Sequence, residues 1–345
     1  MSQIPIQNVY YLLCYAWDHL EERDLVDVAG AGQKDLANLF ARVLINGTQR
    51  LIKRGFHRGY QEHSDETPRL RGRLAFTPSL RRLSWLKGQM VCEFTELTYD
   101  TLPNRILKAT LRQLLFTEGL EKDKRDLIGG LVRELHEVRD IRLHGRRFRR
   151  VQFNQNMRAY RFLLNVCELV YEALLPSEEA GRSRFRDFLQ DPKKMPLLFE
   201  AFVRNFYQRQ ADAWKVDKSE YRWQEVQAVT EGAEKLLPIM KTDVELQRGD
   251  ELIILDCKFY VNAFTENHGV TRFHTSNLYQ LYAYLMNRRL KDPHLRIQGM
   301  LLYPENGTTF HHALNLQGFP ITIASLNLDQ PWQQIETDLL SLIAV

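Results

Sequence analysis

Apolar positions along this chain follow two rhythms, and the changes between them mark out its elements. Asn8 to His19 is almost continuously apolar and aromatic, which predicts a buried helix. Between Asp35 and Ile52, Leu36, Leu39, Phe40, Val43, Leu44 and Leu51 fall at helical spacing. GRLAF (Gly72 to Phe76) and VCEFTELTY (Val91 to Tyr99) are short and rich in strand-forming side chains. Asn104 to Thr117 and Lys122 to Val138 return to helical spacing, and Tyr160 to Leu175 predicts a connecting helix. Pro176 to Arg184, with Ser, Glu and Gly, reads as a loop.

The second half has a clearer order. Pro196 to Trp214 predicts a helix with Phe199, Phe202, Val203 and Phe206 on one face. Strands are expected at Trp223 to Thr230, Leu237 to Gln247 and Leu252 to Tyr260, then a helix from Ser276, as N-cap, to Asn287. Further strands, Ile297 to Tyr303 and Ile321 to Leu328, precede a closing helix, Trp332 to Ile343. The order is helix, three strands, helix, strand, which makes the fold class α/β.

Length and composition narrow the picture little. The 345 residues fit two domains at roughly 150 residues each, and 44% apolar with 26% charged residues is ordinary for a globular protein. A net charge of +4 permits nucleic-acid binding without demanding it. The charge is uneven, however: Arg142, Arg146, Arg147, Arg149 and Arg150 crowd into one short stretch. A solvated loop and a contact for phosphate or an acidic partner both fit. Cys14, Cys92, Cys167 and Cys257 lie far apart and give no zinc or iron–sulfur spacing. Buried free thiols in a reducing compartment are expected. The first residues lack the basic lead and cleavage site of a secretory signal. Glu168 interrupts the best apolar run, so no membrane span and a cytoplasmic location are expected.

The chemistry-bearing segment is KTDVELQRGDELIILDCKFY, Lys241 to Tyr260. With Gly249 and Asp250 at the centre of a type II′ hairpin turn, opposed residues have numbers summing to 499. Asp243 then faces Asp256, with Cβ atoms about 5 Å apart, and alternation puts Lys258 on the same sheet face. Two adjacent carboxylates repel unless one takes a proton or a cation sits between them. A cross-strand salt bridge on an exposed hairpin is the bland alternative. Leu252, Ile253, Ile254 and Leu255 argue for a strand buried on both faces, where unpaired charge is costly.

Asp243 followed by Asp256-Cys257-Lys258 resembles the PD-(D/E)xK nuclease motif, with Thr242 where that motif often has proline. Flanking blocks sharpen the resemblance: NVYYLLCYAW, GRLAF, YDTLPNRILKATL, LLPIMKTDVEL, LIILDCKFY, FHTSNLYQLYAYL and LLYPENG. Together they make the chain similar to the McrC family, the nuclease subunits of McrBC-type modification-dependent restriction systems. The resemblance implies a mixed α/β adaptor domain over 1–155, docking on a GTPase partner, and a PD-(D/E)xK endonuclease domain over 156–345. It implies a DNA endonuclease with Asp243, Asp256 and Lys258 as catalytic residues, Asp243 and Asp256 holding Mg2+ (or Mn2+). The implied partners are an McrB-like AAA+ GTPase hexamer, which uses the GTP, and double-stranded DNA with modified cytosine. In keeping with that division, the chain lacks a GxxxxGK[ST] loop; AGAGQKD, Ala29 to Asp35, has the wrong spacing.

Supporting roles follow for Glu200, on the helix before the sheet, and for Gln280 and Tyr284, which share a helical face in a QxxxY pattern. Each is equally readable as ordinary helix surface or packing. Glu245 reads as an exposed strand residue or a supporting carboxylate, and Tyr260 as site flank or core. Arg272 and His274 read as loop surface or phosphate contacts. His311 and His312, adjacent on a strand, point apart and make no metal pair. Asp100 or Thr101 is expected to cap the helix that carries Asn104 and Arg105. Two rival functions remain at this point: a GTPase-activating module without catalysis, and a stand-alone repair or CRISPR-type nuclease of the same superfamily.

Overall fold

The computed structural model describes residues 4–21, 36–176, 183–185, 189, 191–260, 264–267 and 270–344. Most of the loop expected at 176–184 and the Gly-rich text at 29–35 lie outside these residues. The chain forms two compact units, Asp35–Arg186 and Met1–Lys34 with Asp187–Val345. This division corrects the expected boundary at 155/156, and the first helix, α1 (Ile6–Ala16), belongs with the C-terminal half.

In the first unit, α2 (Leu36–Arg54) ends on Lys53 and Arg54, whose charges suit the negative end of the helix, and on Gly55 at φ +89°. A three-stranded antiparallel sheet follows, ordered β1 (Gly59–Thr67), β3 (Met90–Thr98), β2 (Arg73–Leu74). β1 was not expected, because GYQEHSDET carries no apolar alternation; nine residue pairs with β3 hold it extended. GRLAF is strand only at Arg73–Leu74, and Phe76 opens a short helix, α3 (Phe76–Arg81). The rest is helical: α4 (Leu102–Leu115), started by Pro103, α5 (Lys122–Glu134), α6 (Gly145–Arg149) and α7 (Arg158–Ala173), then a small ribbon of β4 (Leu174–Pro176) and β5 (Ser183–Phe185). α2 packs on α4, α5 and α7, and this packing keeps α7 with the first unit.

The second unit is a six-stranded mixed sheet between helices. α8 (Lys194–Gln210) precedes β6 (Lys215–Asp217), a small pair of β7 (Glu220–Tyr221) with β8 (Met240–Lys241), and the hairpin of β9 (Val244–Arg248) and β10 (Glu251–Cys257). A ribbon of β11 (Phe264–Asn267) and β12 (Val270–Phe273) leads to α9 (Thr275–Lys291) and β13 (Arg296–Pro304). β14 (His311–Leu316), β15 (Phe319–Leu326) and α10 (Trp332–Ser341) complete it. Sheet order is β14-β15-β13-β10-β9-β6, with β10–β13 and β13–β15 parallel. Leu252 and Ile254 of β10 join Leu281 and Leu285 of α9 in one buried cluster, while α8 packs on β6, β9 and β10.

α1 is drawn into this unit by its aromatic face. Tyr15 stacks on Trp332 at 5.5 Å between ring centres and meets Phe202 and Phe206 of α8. Asn8 donates to the carbonyls of Leu328 and Gln330. The segment expected as a strand at Trp223–Thr230 is irregular instead, because β6 occupies the sheet edge beside β9. His274, not Ser276, stands at the N-cap of α9, and no side chain caps it. Among the described residues no helix is long and apolar enough to cross a membrane.

Gly47 makes a test of α2–α7 packing, since a Cβ placed there would sit 2.2 Å from a methyl of buried Leu163. Helix propensity favours alanine over glycine by about 1 kcal/mol, but overpacking a core costs about 1–3 kcal/mol. Gly47→Ala is therefore expected to lower the midpoint of chemical denaturation. An unchanged or raised midpoint would show that α7 is not seated so tightly.

Candidate active site

The hairpin forms in the expected register, Glu251 opposite Arg248 through Leu255 opposite Val244. Gly249 takes φ +60° and Asp250 is not among the positive-φ residues, as a type II′ turn requires. Beyond Val244 the strands part, and Asp243 uses the gap: its Oδ2 accepts the Cys257 N–H at 2.8 Å. The Lys258 N–H is held by the Leu302 carbonyl of β13 at 2.9 Å. These two bonds fix the backbone that follows Asp256.

Asp243, Asp256 and Lys258 are brought together. Lys258 Nζ lies 2.7 Å from Asp256 Oδ2 and donates to Gln280 Oε1 at 2.9 Å. Asp256 is 1% exposed, and neither of its carboxylate oxygens receives a well-directed hydrogen bond. Burial is the main cause that raises its pKa, with Glu200 adding to the effect and Lys258 opposing it. Burial, then the charges of Asp256 and Glu200, push Asp243 up to about 7. Burial pulls Lys258 down, but Asp256 and Asp243 outweigh it and raise its pKa. The cluster is thus short of positive charge.

A buried carboxylate whose Oδ1 has no partner, beside a second acid, fits a hard divalent cation, which takes oxygen ligands and tolerates one or two carboxylates if waters complete its shell. Asp243 and Asp256 are the residues that would hold it. Among the described residues no three His, Cys, Asp or Glu side chains converge as a cage.

The supporting residues divide. Gln280 and Tyr284 join the site: Gln280 Nε2 donates to the Tyr284 hydroxyl at 2.6 Å, and that hydroxyl donates to the Lys241 carbonyl at 2.8 Å. α9 therefore positions Lys258 through Gln280 and grips the strand that leads to Asp243. Glu200 is close enough to act on both aspartates, but its Oε1 is taken by Arg204 at 3.0 Å and Lys218 at 2.5 Å. Sequence reasoning missed both cations, though Glu200 and Arg204 stand four apart on one helix. Arg204 also reaches the Asp243 carbonyl at 3.5 Å.

Glu245 corrects an expectation: it is buried, not exposed. Ser219 donates to it at 2.8 Å, Thr242 at 3.1 Å, and Tyr221 also donates. Burial raises its pKa. Thr242, standing where the motif often has proline, also accepts the Ser219 N–H at 3.1 Å, so its hydroxyl secures the backbone before Asp243. Tyr260 is exposed and lies against His274, with ring centres 5.3 Å apart. Arg272 is exposed, and His311 and His312 are both exposed on β14. In the other unit Asp100 caps no helix; Arg105 and Arg139 hold its carboxylate, well below the usual range. Thr101 is the N-cap of α4 but makes no side-chain cap bond. Asn104 instead ties the Tyr99 and His57 carbonyls together.

Fold and cluster define a mixed α/β protein with a buried aspartate, a half-buried second one and a lysine at the end of a central strand. Over residues 6–304 the chain matches the family model described as McrBC 5-methylcytosine restriction system component, and it belongs to that family. It is 31% identical over 339 residues to the Type IV methyl-directed restriction enzyme EcoKMcrBC of Escherichia coli K12, covering 98% of this chain and 97% of that one. Among solved structures it resembles a chain of an assembly of Thermococcus gammatolerans McrB AAA+ hexamers with bound McrC. That match has a TM-score of 0.59 at 19% identity and covers 99% of this chain and 77% of that one, which is a likeness of fold.

The cluster carries a stability signature. Asp243 is protonated in the folded, metal-free protein up to about pH 7 but ionised in the unfolded chain above about pH 4. The folded state then holds the extra proton, so stability falls as pH rises through that interval. Asp243→Asn should flatten the fall and raise the melting temperature at pH 8 in the absence of divalent metal. Parallel melting curves for the two proteins from pH 5 to 8 would show that the site is not charge-frustrated.

Proposed function

We propose that this chain is the DNA-cutting subunit of a modification-dependent restriction complex. In this reading it hydrolyses phosphodiesters of DNA bearing 5-methylcytosine-type modification, with Mg2+ (or Mn2+), and stimulates the GTPase of an McrB-like AAA+ hexamer. The observation that carries the reading is the pairing of Asp243 with nearly inaccessible Asp256 beside Lys258. A protein whose sole task was to activate a GTPase would gain nothing from burying a carboxylate that only Lys258 pairs and whose Oδ1 has no partner, which costs stability. Family membership favours a subunit of a restriction complex over a stand-alone nuclease.

A divalent cation held by Asp243 and Asp256 would polarise a phosphoryl oxygen and help activate water. The chain's own groups supply the rest. Asp243, with one oxygen committed to the Cys257 N–H, keeps a fixed orientation. Lys258 spends donors on Asp256 and Gln280 and has a third for the non-bridging oxygens where charge builds in the transition state. Gln280, itself held by Tyr284, keeps that ammonium from swinging away.

In this reading the partner docks on the first unit; what supports it is that α3 and the turn at Ser84–Lys87 expose Phe76, Leu80, Leu83, Trp85 and Leu86. Phe76 is 66% and Trp85 59% exposed, a contiguous run of large apolar side chains that a protein surface rarely leaves bare. Arg81 and Arg82 lie within it, and aromatic groups with arginine are what protein interfaces favour.

In the complex reconstituted with the GTPase, GTP, Mg2+ and methylated plasmid, Asp256→Ala and Lys258→Ala should each lower cutting by about a thousandfold or more, with GTPase stimulation retained. Cutting at the wild-type rate by either variant would refute the assignment. Replacing both Phe76 and Trp85 by Glu should have the opposite pattern, losing GTPase stimulation and co-elution with the partner while circular dichroism stays native. Undiminished stimulation would move the docking surface elsewhere.

A further inference from the structure

One feature outside both surfaces stands apart by its charge. Between 139 and 161 the sequence holds eight arginines and a single acid, Asp140, although the whole chain carries only +4, so the remainder is net acidic. Asp140 neutralises nothing here, because Lys108 and Arg112 of α4 hold its carboxylate at 3.5 Å and 2.6 Å. Arg142, Arg146, Arg149 and Arg150 are all exposed, and no ion pair holds any of the four among the described residues.

The array is anchored. Phe148, midway through α6, is buried against Tyr171 of α7 with ring centres 5.7 Å apart, and Leu143 is buried as well. Arg146 and Arg149 are three apart and Arg146 and Arg150 four apart, so these side chains leave one side of the short helix and its end together. Four guanidinium groups are thus displayed at a fixed site, and leaving them uncompensated costs self-repulsion unless an anion arrives.

The composition of the patch decides which anion. No large hydrophobic residue between 139 and 161 is exposed, whereas α3 and its neighbouring turn are crowded with them. A protein interface needs apolar anchors at its centre; a phosphodiester backbone needs only cations and hydrogen-bond donors, and guanidinium forks match its oxygens. We infer that Arg142, Arg146, Arg149 and Arg150 form a sequence-independent binding surface for the DNA backbone, separate from the acid cluster that cuts. This rests on the reading of the chain as acting on DNA, and it adds where the duplex is held.

The test is binding of a fluorescent, unmethylated duplex to the full-length chain by anisotropy, in EDTA to prevent cutting, across a salt series. The variant replaces Arg146, Arg149 and Arg150 together by alanine, which leaves Phe148 in place and favours the helix. Affinity should fall by about tenfold or more near 0.1 M salt, and the slope of log affinity against log salt should shrink by about 2–3, roughly 0.9 per lost phosphate contact. Changing the duplex sequence should change neither number. Equal affinity and slope for variant and wild type would overturn the inference, as would a wild-type chain that does not bind the duplex. Loss of GTPase stimulation with DNA binding intact would overturn it too, assigning the arginines to an acidic partner surface. Cutting by Asp256→Ala is measured separately, so the nuclease reading stands or falls by its own assay.

Discussion

The second unit is organised around one electrostatic constraint: a carboxylate sits at the end of a strand that the fold buries on both faces. β10 is apolar from Leu252 to Leu255 because β9 and β13 flank it and α8 and α9 pack nearby. Extending that strand by one residue puts Asp256 where water cannot reach it. Every neighbour reads as a response. Asp243 takes up a backbone N–H, Lys258 closes on the carboxylate, α9 holds Lys258 through Gln280, and Glu200 has its own charge covered by Arg204 and Lys218. The compensation stops short, leaving Asp256 Oδ1 without a partner, and that deficit is what a divalent cation would fill.

How far the sequence could be read depended on how local the determinants were. The hairpin was legible because a glycine at the turn sets the register, which runs to Leu255 opposite Val244 and brings Asp243 up to the end of β10 beside Asp256. α2, α4, α8 and α9 were legible from helical spacing. β1 was not, because its polar text becomes a strand only through pairing with β3. Nor was the place of α1, whose apolar face finds its partners some 190 to 320 residues away in Asn205, Trp332 and Leu328.

Within the site, the core trio followed from strand alternation, and Gln280 with Tyr284 from helix alternation. The cage around Glu245 did not, since Ser219, Tyr221 and Thr242 come together only once β7 pairs with β8. That cage explains why Thr242 is a sound substitute for proline at this position. A ring fixes the backbone by its own stiffness; the threonine hydroxyl fixes it by bonding to both the Ser219 amide and Glu245. The first unit follows a different logic. It keeps apolar side chains on one exposed surface and bare arginines on another, a separation that suits two unlike partners.

Asp243 and Asp256 together call for a cation, and Mn2+ titration of the full chain, followed by calorimetry near pH 7, tests that need most directly. One Mn2+ should bind per chain with release of about half a proton at that pH, since Asp243, with its pKa pushed up to about 7, is about half protonated there and must ionise to bind it, and Asp256→Asn should abolish the signal. Absence of binding at millimolar Mn2+, or unchanged binding by that variant, would contradict it.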